Sequence, residues 1–172
     1  MTDEQIVLAT LSGDIQAFDE IVVKYSQELL SYILRLLNSN QQDGENVLSE
    51  TFIKSYTNLA SFNPVLNFSS WLYRIAYSEA VKAFKKKSPL CNPVQESFEL
   101  QVVNINFDQP NLKELEALLP KLNIYDRNLL TLFYFQEKPI RQISQILKAR
   151  ENSVAEKLNR VRLKVQKLVG GS

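Results

Sequence analysis

A chain of 172 residues with 45% apolar side chains can bury a core of domain size, yet it carries only four glycines, one cysteine and no histidine. That composition excludes a disulfide framework, a Cys/His zinc site and histidine-based acid–base chemistry, and no apolar run reaches the roughly 20 residues of a membrane span. The net charge of +1 conceals an asymmetry: residues 1–87 carry −2, residues 88–111 carry −3 and residues 112–172 carry +6, so the C-terminal part is expected to meet a polyanion and the rest something else.

Few glycines also argue against sheet folds, which want frequent turn residues, and so favour helices. Thr2-Asp3-Glu4-Gln5 is a capping-box pattern that predicts a short helix from residue 3, ended by Gly13-Asp14. From Ala17 to Leu37 the positions Phe18, Ile21, Val22, Tyr25, Leu29, Tyr32, Ile33 and Leu36 recur at spacings of three and four, the stripe of a long amphipathic helix. A polar break at 38–42 precedes a helix over Asp43–Tyr56, with Asp43 and Glu45 near its positive start. Residues 57–68 read as a loop around Pro64, and Ser69–Lys87 as a helix with Trp71, Leu72, Ile75, Ala76 and Ala80 inward and lysines at its end.

Residues 88–111, bracketed by Pro89, Pro93 and Pro110, have no basic residue and no helical period; they read as a flexible linker, with a strand at Leu100–Ile105 as the alternative. Cys91 within it reads as an ordinary thiol suited to a reducing cytoplasm, or as a redox sensor. The acidic N-terminus lacks signal-peptide character, so a cytoplasmic location is expected.

Helical patterning resumes at Asn111, breaks at Pro120, and continues through Ile124–Phe135. Pro139 suits the first turn of a helix running to about Leu147. After the turn Lys148–Glu151, a last helix carries Val154, Leu158, Val161, Val165 and Leu168 on one stripe, and Gly170-Gly171-Ser172 reads as a flexible tail. The expected fold class is therefore all-α: two small helical domains at 1–87 and 112–169 joined by the linker, the second containing a helix-turn-helix at about 139–167. Residues 148–167 hold seven basic side chains against Glu151 and Glu156, with Lys157, Arg160 and Lys164 on one face that can follow a phosphate track. Asn152, Ser153 and Glu156, at the helix start, are placed to reach base edges, with Arg150 and Arg162 adding charge. The competing reading of this helix is a solvated basic face packed on its own domain.

Leu119-Pro120, Leu130–Phe135, Ile143–Leu147 and the run from Ser153-Val154 through Lys157-Leu158 to Arg162 together resemble the C-terminal domain of bacterial extracytoplasmic-function (ECF) sigma factors. Asp43–Phe52, Ser61-Phe62-Asn63 and the run Phe68–Ala76 with Trp71 and Arg74 resemble their N-terminal domain, in the same order and spacing. The resemblance implies a non-enzymatic specificity subunit with no catalytic residue, cofactor or metal site. Its implied partners are the RNA polymerase core and promoter DNA, with an anti-sigma factor as a further candidate.

It assigns Asp43, Glu45, Asn46 and Glu50 to the polymerase. Ser61, Phe62, Asn63, Asn67, Phe68, Trp71, Arg74, Tyr77, Ser78, Lys82 and Lys85 fall to the minus-ten element, where an extruded base could stack and be hydrogen-bonded. Arg150, Asn152, Ser153, Glu156, Lys157, Arg160 and Arg162 fall to the minus-thirty-five element. Independently of the family, the carboxylates read equally as serving the helix dipole and solvation, while Phe62, Phe68 and Trp71 read first as core anchors.

The chain departs from the family where Tyr77, Ser78 and Lys82 replace an Arg-Asn pair and an acidic residue, where Ser49 interrupts the usual acidic pattern, and where Ala155 and Glu156 follow Asn152-Ser153-Val154. Glu156 could accept from a cytosine amino group or weaken phosphate contact. Two other classes stay open: a regulator that binds its operator unaided, and a sigma mimic that binds a sigma partner without driving transcription.

Overall fold

The protein is described by a computed structural model covering residues 1–87 and 110–170, and every regular element among the described residues is helical. The expected strand at Leu100–Ile105, Cys91 and nearly all of the expected linker lie outside the described residues.

Helix α1, Asp3–Leu11, opens on the capping box: Gln5 N–H donates to Thr2 Oγ1 at 3.2 Å and Thr2 N–H donates to Gln5 Oε1 at 2.9 Å. The carboxylate of Asp3 then ties it to the next long helix, accepting from Lys24 Nζ at 2.7 Å and Tyr25 Oη at 2.6 Å. Helix α2, Phe18–Leu37, buries Phe18, Ile21, Tyr25, Leu29, Tyr32, Ile33 and Leu36, nearly the whole stripe its periodicity defines. It stops at Asn38, whose φ of 47° is the left-handed conformation that asparagine tolerates as a helix terminator.

Helix α3, Gln41–Thr57, starts two residues before its expected position because the Asn40 side chain accepts the Asp43 N–H at 2.9 Å. Gly44 lies where α3 meets α2, and a Cβ there would stand 2.5 Å from Leu34 Cδ2, so the two helices approach over a bare backbone. Helix α4, Phe68–Lys87, begins on Asn67, whose side chain accepts the Ser70 N–H at 3.1 Å.

In the C-terminal half, Asn111 caps α5, Leu112–Leu118, and Asn123 caps α6, Ile124–Leu130. The run to Phe135 was expected to stay helical and does so with a change of pitch. Thr131–Phe135 is a π-turn, closed by Gln136 N–H donating to Thr131 O at 2.9 Å. Glu137, with φ 52°, turns the chain into α7, Ile140–Leu147, with Pro139 at the N-cap position rather than the first turn. Lys148, with φ 52°, ends α7 and leads to α8, Glu151–Gly170.

One apolar core runs through both halves, from Ile6 and Ile21 on one side to Leu130, Ile143, Val154 and Val165 on the other. Helix α4 packs on α7, and α2 packs on α6 and the π-turn, so the halves share a seam rather than standing apart.

Candidate functional site

Three surfaces collect the residues singled out from the sequence. The first is a groove of about 870 Å³ formed by the C-terminal end of α2, the outer face of α3 and the C-terminal end of α4. Leu37, Val47, Ala83 and Phe84 supply its apolar lining, while Asp43, Asn46 and Glu50, at helical spacing, stand along α3. Glu45 points elsewhere and accepts from Gln41 Nε2 at 3.2 Å.

Lys82 and Lys85, assigned from the sequence to the minus-ten element, line this same groove beside the α3 carboxylates. Asp43 pairs with Lys87, and buried Glu79 pairs with Lys54 and, at 3.3 Å, with Lys82. Burial pushes the Glu79 carboxyl up, but hydrogen bonds from Lys54 and Lys82 outweigh it and hold the group below its ordinary value. The groove is thus an amphipathic trough with both signs of charge on its rim, suited to an apolar helix with charged flanks.

The second surface is the loop between α3 and α4. Phe62 and Phe68 meet edge to face at 5.3 Å, and Trp71 joins both rings; all three are at least nine-tenths buried. They build the platform under the loop and offer no open ring face in this conformation. Asn63 Oδ1 accepts the Val65 N–H at 3.0 Å, and Leu66 N–H donates to Asn63 O at 2.9 Å, so the loop is a braced turn with Pro64 at its second position. Ser61, Asn63 and Asn67 are exposed around it. Val65, which sequence reasoning passed over, is its most exposed apolar side chain at 87%.

Arg74 and Tyr77 lie apart from that loop, in the seam. Arg74 Nη2 donates to the Gln145 carbonyl of α7 at 2.5 Å, and burial lowers the guanidinium's pKa. Burial raises Tyr77, helped by neighbouring Tyr125 of α6. Ser78, one residue on, is exposed.

The third surface is α8. Arg150, Asn152, Glu156, Lys157 and Arg160 are exposed along the turn and the first half of the helix, with Ser153 half-buried. Val154, Leu158, Val161 and Val165 anchor the opposite face. Arg162 is committed inward: its Nε donates to Tyr134 Oη at 2.8 Å and its guanidinium lies over Phe133 at 5.3 Å. Lys164 pairs with Asp126 at 2.6 Å. The outward face therefore carries two cations, Lys157 and Arg160, together with Asn152 and Glu156 one turn apart.

Comparison with known proteins yields two family matches. Residues 21–89 match the family model of sigma-70 region 2, and residues 112–165 match that of sigma-70 region 4. The chain is 40% identical over 78 residues to the RNA polymerase sigma-H factor of Pseudomonas aeruginosa, covering 45% of this chain and 40% of that protein. It is 38% identical over 77 residues to the ECF RNA polymerase sigma factor SigW of Bacillus subtilis, covering 45% and 41%. These matches thus span about two-fifths of the curated relatives' length.

The fold is that of CnrH in its complex with the cytosolic domain of CnrY, with a TM-score of 0.73 at 19% identity over 99% of this chain and 98% of that one. It is also that of the sigma factor RpoE in complex with the anti-sigma factor NepR from Bartonella quintana, with a TM-score of 0.66 at 16% identity over 90% and 98%. The chain belongs to the sigma-70 family, as a divergent ECF sigma factor carrying regions 2 and 4 in order.

Proposed function

We infer that the chain directs the RNA polymerase core to specific promoters and assists promoter opening. One observation carries the reading. A single chain holds region 2, with an amphipathic groove and a braced aromatic loop, followed by region 4, whose helix-turn-helix exposes Asn152, Glu156, Lys157 and Arg160.

In this reading residues 1–87 and 112–169 act as separate working domains. The α3 side of the groove, with Asp43, Asn46 and Glu50, receives a helical element of the polymerase, and Lys82 and Lys85 flank it. Ser61, Asn63, Asn67 and Val65 meet the opened minus-ten strand, over the platform of Phe62, Phe68 and Trp71. The exposed start of α8 reads the minus-thirty-five element.

Chemistry is left to the polymerase, so the chain itself is not an enzyme, and it works where the polymerase does, in the cytoplasm. No described helix is long and apolar enough to cross a membrane. An anti-sigma factor is a natural partner, since both structural relatives are held in complexes and one partner is named as such. Glu156, an exposed carboxylate on the reading face, favours one second reading, a sigma mimic. Reconstitution with core polymerase over a promoter library separates the two: the sigma factor yields transcripts, and the mimic binds a partner and yields none.

A further inference from the structure

The N-terminal helices carry apolar surface that the described fold leaves in water. Beyond its capping box, α1 runs from Ile6 to Leu11 without a charged residue, so packing one side of it cannot hide the rest. Ile6, Val7 and Thr10 face the core, whereas Leu8 and Leu11, one turn apart, are 65% and 51% exposed. Ile15, in the short helical turn Ile15–Ala17 that leads into α2, is 63% exposed, and Val23, roughly two turns further on, is 81% exposed. Asp14 N–H donates to Ala9 O at 3.0 Å at one end, and Asp3 holds Lys24 and Tyr25 at the other. Helix α1 therefore folds back along the start of α2, and the four apolar side chains share the outside of one helical hairpin. Apolar residues scattered singly over a surface are ordinary; four on one hairpin mark an interaction surface.

The charge around this surface has one sign. Residues 1–23 hold five carboxylates, Asp3, Glu4, Asp14, Asp19 and Glu20, and no lysine or arginine. Asp3 is engaged by Lys24 and Tyr25, and the other four are exposed. By helical spacing Glu4 stands one turn before Leu8, and Asp19 lies between Ile15 and Val23. Lys24, the first basic side chain of the sequence, is held by Asp3 at 2.7 Å. Such a rim repels the phosphates that α8 attracts, and it complements an apolar ridge flanked by lysine or arginine.

We propose that the α1–α2 hairpin is a docking surface for a basic amphipathic helix of a protein partner. Leu8, Leu11, Ile15 and Val23 receive its apolar ridge, and Glu4, Asp14, Asp19 and Glu20 meet its flanking cations. The capping box and the Asp3 contacts hold the hairpin in shape beforehand, so little ordering is needed on binding. The groove lies at the other end of α2, by Leu37, about 20 Å from Val23 along the helix. Both surfaces can therefore be filled at once, and the partner rides on the chain without displacing what the groove or α8 binds. The assignment does not rest on the sigma-factor reading, since it requires neither polymerase nor promoter.

A phage-displayed library of helical peptides about four turns long tests it on the full chain. Leucine is fixed along one ridge at helical spacing, and each flanking position is randomised between lysine and glutamate. Selection should enrich lysine over glutamate at the flanks by roughly tenfold or more. The selected peptides should bind Leu8→Gln/Ile15→Gln roughly tenfold more weakly by fluorescence anisotropy. Helicity and melting temperature of that variant should be unchanged, because both side chains already face water. Asp19→Lys/Glu20→Lys should erase the preference for lysine, and Glu50→Lys in the groove should leave peptide binding as it was.

Selection without a charge preference would overturn the proposal. So would peptides that bind Leu8→Gln/Ile15→Gln as well as the wild type, or that are lost with Glu50→Lys, since either result places them elsewhere. A dimer of the free chain in sedimentation velocity that Leu8→Gln/Ile15→Gln dissociates would assign the surface to a second copy, and would equally overturn it.

Discussion

Arg127→Met removes a single buried cation and tests the seam where it is most concentrated. Arg127 is 5% exposed, and its guanidinium donates to three carbonyls, Leu36 O at 2.5 Å, Leu122 O at 2.9 Å and Leu119 O at 3.0 Å, with no ion pair to a carboxylate among the described residues. Burial lowers its pKa, while the three carbonyl dipoles are its hydrogen-bond partners. Hydrogen bonds to a charged group contribute about 1.5–3 kcal/mol each, so the three together give roughly 5–9 kcal/mol gross. Methionine recovers several kcal/mol of desolvation cost and keeps much of the stem packing, leaving an expected loss of about 2–4 kcal/mol.

For a domain of this size that lowers the melting temperature by about 5–15 °C. Urea unfolding followed by far-UV circular dichroism, with the slope compared between variants, measures it directly. Because Leu36 O belongs to α2 and Arg127 to α6, both halves should lose stability together. A loss below about 1 kcal/mol, or a loss confined to one of two separate transitions, would refute the reasoning.

Glu79→Gln should abolish an acid sensitivity of the α3–α4 pair. The folded Glu79 titrates below its ordinary value, so its contribution is complete above the ordinary carboxylate range near 4.3 and is lost as pH falls from there through the depressed value. Stability measured from pH 6 to 3 should therefore fall less in the variant. Lys157→Ala and Arg160→Ala should each reduce the salt slope of duplex binding by about 0.9, read by fluorescence anisotropy at several salt concentrations. Arg162→Ala should chiefly lower the melting temperature, since its guanidinium is occupied by Tyr134 and Phe133. Glu156→Gln should raise affinity for all duplexes and relax preference at one base position, seen by selection from a randomised half-site.

The helices were legible from a capping pattern, as at Thr2 for α1, or from an apolar stripe, as through Phe18–Leu36 for α2. The helix-turn-helix and the exposed character of Asn152, Lys157 and Arg160 also followed from spacing, because a single helix face is a local property. What was not legible is long-range. Nothing in the local pattern distinguishes Arg162, turned onto Tyr134, from Arg160, turned to solvent. The same limit hid the groove, where Lys82 and Lys85 of α4 stand with Asp43 and Glu50 of α3, and the seam, where Arg74 reaches α7 across 71 residues of sequence.

Residue type alone reads Phe62, Phe68 and Trp71 first as core anchors, whereas the family resemblance gives them to DNA; their burial makes them the loop's platform. The π-turn at Thr131–Phe135 escaped because its i to i+5 bond leaves the apolar spacing nearly helical.

The central claim is that this chain confers promoter choice on a polymerase that lacks it. Run-off transcription with purified core polymerase over a randomised promoter library tests it most directly, comparing the wild-type chain with Glu50→Lys in the groove and with Lys157→Ala/Arg160→Ala on α8. The account predicts transcripts sharing two upstream elements with the wild-type chain. Glu50→Lys should reduce all of them with duplex binding intact, and the α8 variant should weaken the upstream element alone. Binding of the wild-type chain to core polymerase without any promoter-specific transcript, or an intact yield with Glu50→Lys, would contradict it.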